Sequence, residues 1–337
     1  MALLKGIGKQ LRIGIAKESV RGTAETSPSF WLETDDVDLD ERYENAIDAQ
    51  THGVIEDNAG QSRVKNWAEG KFSMPVCDTT SALLFVSLFG STSAVVHSGE
   101  SVVYDHTIEV KQTVQHQSLT FFLHDPIPTA TGATADYTHA NAVVHGIDLD
   151  YALGDFVKLT AAIKAQAGSA AAVVFAPTKA YENRFLPQNM TFKVASTFAG
   201  LGAASAIKIK SAQISINENI EDDDVLGQAS PRDFLNKEFS IEGTVEAIWQ
   251  NESDFKDAAL ANTPKAMRLD LVNTAVTLGT ATNPQFRIDL AKVYFTEFSR
   301  PIKIKEVVYQ TIKFKAAYSD SDGLMARLLF VNTRSSY

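Results

Sequence analysis

Three sets of residues in this chain have the chemistry to bind or react: seven histidines, one cysteine and two acidic runs. The histidines run from His52 to His145, all in the first half. Zinc sites use short recurrent spacings such as HExxH or paired cysteines. No two of these histidines stand four apart, and Cys77 has no second cysteine beside it, so they read as solvated or core histidines. Cys77 precedes a predicted helix over 79–90, where a helix start would favour a thiolate. No basic residue is close in sequence, which favours packing or plain exposure. A single cysteine also rules out an intrachain disulfide. "GQSRV" (60–64) lacks the second glycine of a hydrolase elbow, and "GIGKQL" (6–11) and "GLGAAS" (200–205) do not spell a dinucleotide fingerprint. No catalytic, cofactor-binding or metal-ligating residue is expected, and hence no enzyme and no cofactor.

The acidic runs remain. Asp35, Asp36, Asp38, Asp40 and Glu41 lie along and after one predicted strand; Glu218, Glu221, Asp222, Asp223 and Asp224 follow another. Oxygen ligands in such number suit calcium, but neither run has the D-x-D-x-D-G order of an EF-hand. The alternatives are a solvated acidic bend, or negative charge repeated at equivalent places around a ring. A formal net charge of −10 argues against a surface that grips nucleic acid, because such affinity comes from Lys and Arg neutralising phosphates. It suits a wall that a polyanion passes without sticking.

The elements that must position these residues are strands. "FWLETDDVDLD", "GKFSMPV", "DHTIEV", "SLTFFLH", "AVVHGIDLDY" and "FVKLTAAIKA" precede a softer stretch at 171–184; "MTFKVA", "IKIKSAQISINENI", "KEFSIEGTVEAIW", "MRLDLV", "FRIDLAKVYFTEF", "YQTIKFKAAY" and "ARLLFVN" follow it. Alternation such as Phe239, Ile241, Gly243, Val245 against Glu238, Ser240, Glu242, Thr244 gives one dry face and one wet one. The predicted fold is mainly β: two tandem sandwich or barrel domains, each with one short flanking helix. Their expected bounds are an amino-terminal arm over 1–29, a first domain over 30–170, a crossing over 171–184 and a second domain over 185–337. No apolar run approaches the roughly 18 residues of a membrane span. No secretory signal is read in the opening residues, so folding in a cytoplasm is expected.

An offset of 173 lays "AEGKFSMPVCDTTSALLF" (68–85) on "IEGTVEAIWQNESDFKDA" (241–258) without a gap, which points to an internal duplication. Glu69 and Gly70 fall on Glu242 and Gly243, and Asp78 falls on Asn251, each a predicted helix cap. The second helix is predicted over 252–263. "TTSALLFVSLFG" (79–90) is apolar all round, which marks a helix buried on every side. Part of that burial is expected from another subunit, with Leu84, Phe85, Leu88, Phe89 and Phe255 as interface candidates.

The order of these segments resembles the major tail tube proteins of long-tailed bacteriophages. The matching stretches are "GIAKESVRGTAETSPSFWLE" (14–33), "VDLDERYENAI", "AEGKFSMPVCDTTSALLFVSLFG", "AVVHGIDLDYALGDFVKLTAAI", "AQISINENIEDDDVLGQASPRDFLNKEFSIEGTVEAIW" and "KVYFTEF" with "QTIKFKAAY". The resemblance covers about Gly14 to Asn332. It implies a structural virion protein, assembled in the host cytoplasm, whose copies form rings of six such folds stacked into a tube that carries DNA to the host. A duplicated chain would close such a ring with three copies. The resemblance implies a lumen, for which Asp38, Asp40, Glu41, Glu218, Glu221, Asp222 and Asp223 are the facing candidates, and contacts between stacked rings, for which Leu11, Ile13 and Ile15 of the arm, with Val54, Ile55, Val225 and Leu226 of two long loops, are the candidates. The implied partners are the chain itself and the tape measure, terminator and tail-tip proteins. DNA would pass without specific binding and no membrane would be involved. The competing reading is a two-domain β-sandwich carbohydrate-binding or adhesin-type module of a tail tip; Trp31, Trp67 and Trp249 are too scattered to form the aromatic platform it needs.

Overall fold

A computed structural model describes residues 8–50, 53–57, 60–128, 134–171, 174–179, 181–248, 255–302, 304 and 307–337. In the first half lie β1 (Arg12–Lys17), β2 (Phe30–Trp31), β3 (Asp36–Asp48), β4 (Gly60–Pro75), α1 (Thr80–Phe89), β5 (Gly90–Val96), β6 (Tyr104–Val110), β7 (Leu119–Pro128), β8 (Thr134–Ala152), β9 (Lys158–Gln166) and β10 (Ser169–Ala170). In the second lie β11 (Met190–Ala195), β12 (Ala206–Ile207), β13 (Ile209–Asp223), β14 (Asp233–Ile248), α2 (Lys256–Leu260), β15 (Lys265–Val272), β16 (Gln285–Ser299), β17 (Tyr309–Ala317) and β18 (Ala326–Asn332). The chain is mainly β, as its alternation predicts.

One antiparallel ladder runs β3-β4-β9-β8-β13-β14-β17-β16, four strands from each half. β8 and β16 are long because each belongs to two sheets. The start of β8 pairs with β7 and β10, and its end with β9 and β13. Likewise Gln285–Leu290 of β16 pairs with β15 and β18, and Lys292–Ser299 with β17. Each strand has a bulge after it has changed sheet, between Val144 and Gly146 and between Phe295 and Glu297; the extra residue adds local bend and twist. Gly70 and Gly243 recur for a steric reason. A Cβ at Gly70 would strike the carbonyl of Asp38, and one at Gly243 that of Gln213.

The halves interlock through their core. All ten residues of α1 are buried within the single chain, with Phe85 5.5 Å from Phe286 and 5.7 Å from Phe330, and Phe89 4.9 Å from Phe239, ring to ring. The second half of the same chain thus supplies the cover expected from another subunit. The hairpin β5–β6 extends the second half's β15–β16–β18 sheet by pairing with β18. Its strand β5 carries no clean apolar alternation and was not predicted.

The ends of α1 also differ from expectation. Asp78 is no cap: its carboxylate accepts from the Asn183 amide at 2.7 Å and the Asn183 backbone N–H at 3.2 Å. Glu182, from the stretch that crosses between the halves, accepts the Thr80 hydroxyl at 2.5 Å and its backbone N–H at 3.3 Å. Gly90 closes the helix at φ 84°, a left-handed conformation that glycine adopts without penalty. In the second half Phe255 is buried against Phe192 and Phe295. The predicted cap Asn251 and the turn Glu252–Asp254 lie outside the described residues.

Candidate functional site

Period-two alternation puts polar side chains from all eight strands of the ladder on one face. From the first half come Asp36, Asp38 and Asp40 on β3, Glu69 and Lys71 on β4, Lys158 and Thr160 on β9, and Asp148 and Asp150 on β8. The second half adds Gln213 and Ser215 on β13, Glu242, Thr244 and Glu246 on β14, Lys313 and Lys315 on β17, and Glu297 and Ser299 on β16. The other face carries Phe72, Ile163, Leu149, Ile214, Val245 and Phe314, all buried. Carboxylates outnumber lysines on the polar face. It is hollowed by a depression of about 520 Å³ across β9, β8, β13, β14, β17 and β16. Lys313 meets Glu297 at 2.6 Å and Ser215 donates to Asp148 at 2.6 Å, so the surface is a network of short polar contacts without a single focal pocket.

The predicted acidic candidates divide. Asp38 and Asp40 are exposed on the polar face. Glu41 has the opposite parity and accepts the Gly168 backbone N–H at 2.6 Å. Glu218 is buried on the core side against His116 at 2.5 Å, so it is not a surface charge. Both His116 ring nitrogens face acceptors, Nδ1 the Leu88 carbonyl at 2.8 Å and Nε2 the Lys111 carbonyl at 2.9 Å, an arrangement that suits the imidazolium. Burial opposes that charge, but Glu218 and the two carbonyls prevail and hold the imidazole above its ordinary value. Asp222 meets Lys65 at 2.8 Å and Lys164 at 2.7 Å; burial pushes its carboxyl up, and the two lysines outweigh this and hold it low. Asp223 meets Arg232 at 2.5 Å and Glu221 meets Lys237 at 3.1 Å. Four of the seven candidates are thus neutralised by partners. Asp36 lies in the first acidic run, and Glu69, Asp148, Asp150, Glu242, Glu246 and Glu297 are polar-face carboxylates outside both runs; the parity of Asp148 and Asp150 in "HGIDLDY" and of Glu242 and Glu246 in "KEFSIEGTVEAIW" is a signal that finds them.

The remaining candidates also divide. Leu84, Phe85, Leu88, Phe89 and Phe255 are buried within the chain and offer no surface to a second subunit. Ile13 and Ile15 are fully buried because β1 pairs with both β7 and β2, and Leu11 is half-buried against the same core. Val54, Ile55 and Leu226 are exposed at loop tips, with Val225 half-buried beside Leu226. Cys77 is buried, its thiol donates to the Pro75 carbonyl at 3.4 Å, and burial pushes its pKa up, which makes it a packing residue. Trp67 lies between Lys65 and Lys164 and donates to Glu69 at 2.9 Å; Trp249 lies outside the described residues. No group of three or more metal-ligating side chains converges among the described residues. None of the described helices is long and apolar enough to cross a membrane.

Residues 8–326 match the family model of the phage tail tube protein. A comparison with curated proteins finds no match. With the match spanning nearly the whole chain, the protein belongs to the phage tail tube protein family.

Proposed function

We propose that copies of this chain join into rings, that the rings stack into the tube of a phage tail, and that the polar face of the ladder lines its bore. The family makes it a structural component of the virion tail that assembles with itself and with other tail proteins. The observation that carries the finer reading is the eight-stranded ladder, dry on one face and predominantly acidic on the hollowed other. An acidic wall repels phosphate, so DNA is conducted because it is not held. No step of this function makes or breaks a covalent bond.

Two copies of one fold, over 30–170 and 185–337 with the crossing at 171–184, let three chains complete a ring of six folds. The described loop residues 53–57 and 224–232, with exposed Val54, Ile55 and Leu226, follow the same end of β3 and β13 and are placed to reach the next ring. Tape measure, terminator and tail-tip proteins are the partners at the tube ends, and assembly takes place in the host cytoplasm. Electron microscopy of the purified, concentrated protein tests this reading: rings of three- or sixfold appearance, or tubes of constant bore, are expected. A monodisperse monomer at every concentration and ionic condition overturns it.

A further inference from the structure

The joint that fuses the two halves is a template for the joint between chains. Within the ladder, β8 of the first half pairs with β13 of the second. Among the described residues, β3 has a partner strand on one side only, as does the end of β16 beyond Val293. β3 is the counterpart of β13, and β16 of β8. An unpaired edge presents a row of N–H and C=O groups that seek a partner strand, and these two edges are the complementary halves of a joint the chain already makes once.

The correspondence is fixed residue by residue. Leu39 faces Gly70 as Ile214 faces Gly243. Gly70 faces Ile163 and Gly243 faces Phe314; Val144 faces Ile163 as Phe295 faces Phe314, each just before its bulge. In the internal joint Gly146 faces Asn217, Ile147 faces Ile216 and Asp148 faces Ser215. Resting on the ring reading above, we propose that β16 of one chain pairs antiparallel with β3 of a second copy, with Glu297 opposite Arg42, Phe298 opposite Glu41 and Ser299 opposite Asp40. Arg42 and Glu297 both stand on the polar face and both are exposed, so the pairing sets a guanidinium against a carboxylate. The half-buried ring of Phe298 takes the place of Ile147, covering the core side of the joint.

Paired cysteines read this register directly, because directly opposed residues have Cβ atoms roughly 4.5–5.5 Å apart, close to the separation a disulfide needs. Full-length Arg42→Cys/Glu297→Cys and Asp40→Cys/Ser299→Cys proteins, mildly oxidised after assembly, are expected to run as dimers and larger species on a denaturing gel and to collapse to monomer on reduction. Single variants and the displaced pair Asp38→Cys/Glu297→Cys are expected to stay monomeric. Arg42→Glu is expected to raise the concentration needed for assembly at least roughly tenfold, through like charges facing across the joint, and Arg42→Glu/Glu297→Arg to restore it. Rings or tubes that form without these cross-links, or that cross-link through the displaced pair, overturn the register while leaving the tube reading intact. Absence of any wild-type assembly by electron microscopy overturns both.

Discussion

The acidic strands of the two halves hold matching places and end in opposite states. Asp36, Asp38 and Asp40 of β3 stand where β13 has Ser211, Gln213 and Ser215, all on the polar face. The acids of β13 come later, at and beyond the point where its pairing shifts between Glu218 and Ile220. There Glu218 meets His116, and Asp222 meets Lys65 and Lys164 from the first half. Free charge on one strand serves the surface, while paired charge on the other binds the halves together. Density of acids in sequence says nothing of this; side-chain parity and the cations the fold delivers decide it.

The comparison is broken most sharply at Glu218. Glu218→Ala strands a buried imidazolium, and a loss of about 3–5 kcal/mol in urea unfolding is expected; a loss no greater than that of a surface change would mean the pair contributes no stability. Asp222→Asn removes the shared partner of two lysines and is expected to cost about 1–2 kcal/mol, since the cluster keeps some contact with water. Proton linkage sharpens the same contrast. Because His116 binds its proton more tightly when folded, its contribution is complete below the ordinary value of 6.5 and is lost as pH rises through the raised folded value. Asp222 has a lowered folded pKa, so its contribution is present above the ordinary 3.8 and is lost as pH falls. Burial raises the Glu218 carboxyl too, so its own contribution is lost as pH rises above the ordinary 4.5. Thermal melting should therefore decline toward high pH through both partners of the pair and toward low pH through Asp222, and His116→Gln/Glu218→Gln should flatten the alkaline decline while leaving the acid one. The smallest stability effect belongs to Asp38→Asn/Asp40→Asn, within about 0.5 kcal/mol. The corresponding lysine pair should leave tubes intact while making them retain DNA oligonucleotides at low salt and release them at high salt.

Much of this fold is legible in local patterns. The alternation over 237–248 gives β14 and both its faces, and the apolar run after Thr79 gives α1. The offset of 173 holds because Gly70 and Gly243 lie beneath a neighbouring carbonyl that leaves no room for a Cβ. What local patterns do not contain is the partner. A helix apolar all round must be buried, but nothing in 79–90 says that Phe286 and Phe330, two hundred residues on, do the burying. Ile13 and Ile15 look the same in a free arm as beside β7. The polar-face carboxylates were within reach of period-two alternation, because parity places them. The link from Asp222 to Lys65 and Lys164 was not, since it depends on which strand lies beside β13.

The two strands that each belong to two sheets have a mechanical consequence. Because β8 and β16 are each hydrogen-bonded into a second sheet at one end and into the eight-stranded ladder at the other, the layers cannot slide over each other without breaking bonds along a single strand. The sandwich has no shear plane. A push on its outer surface is passed inward as twist along these strands, so a wall built from this chain would deform as one shell rather than as a lining inside a sleeve.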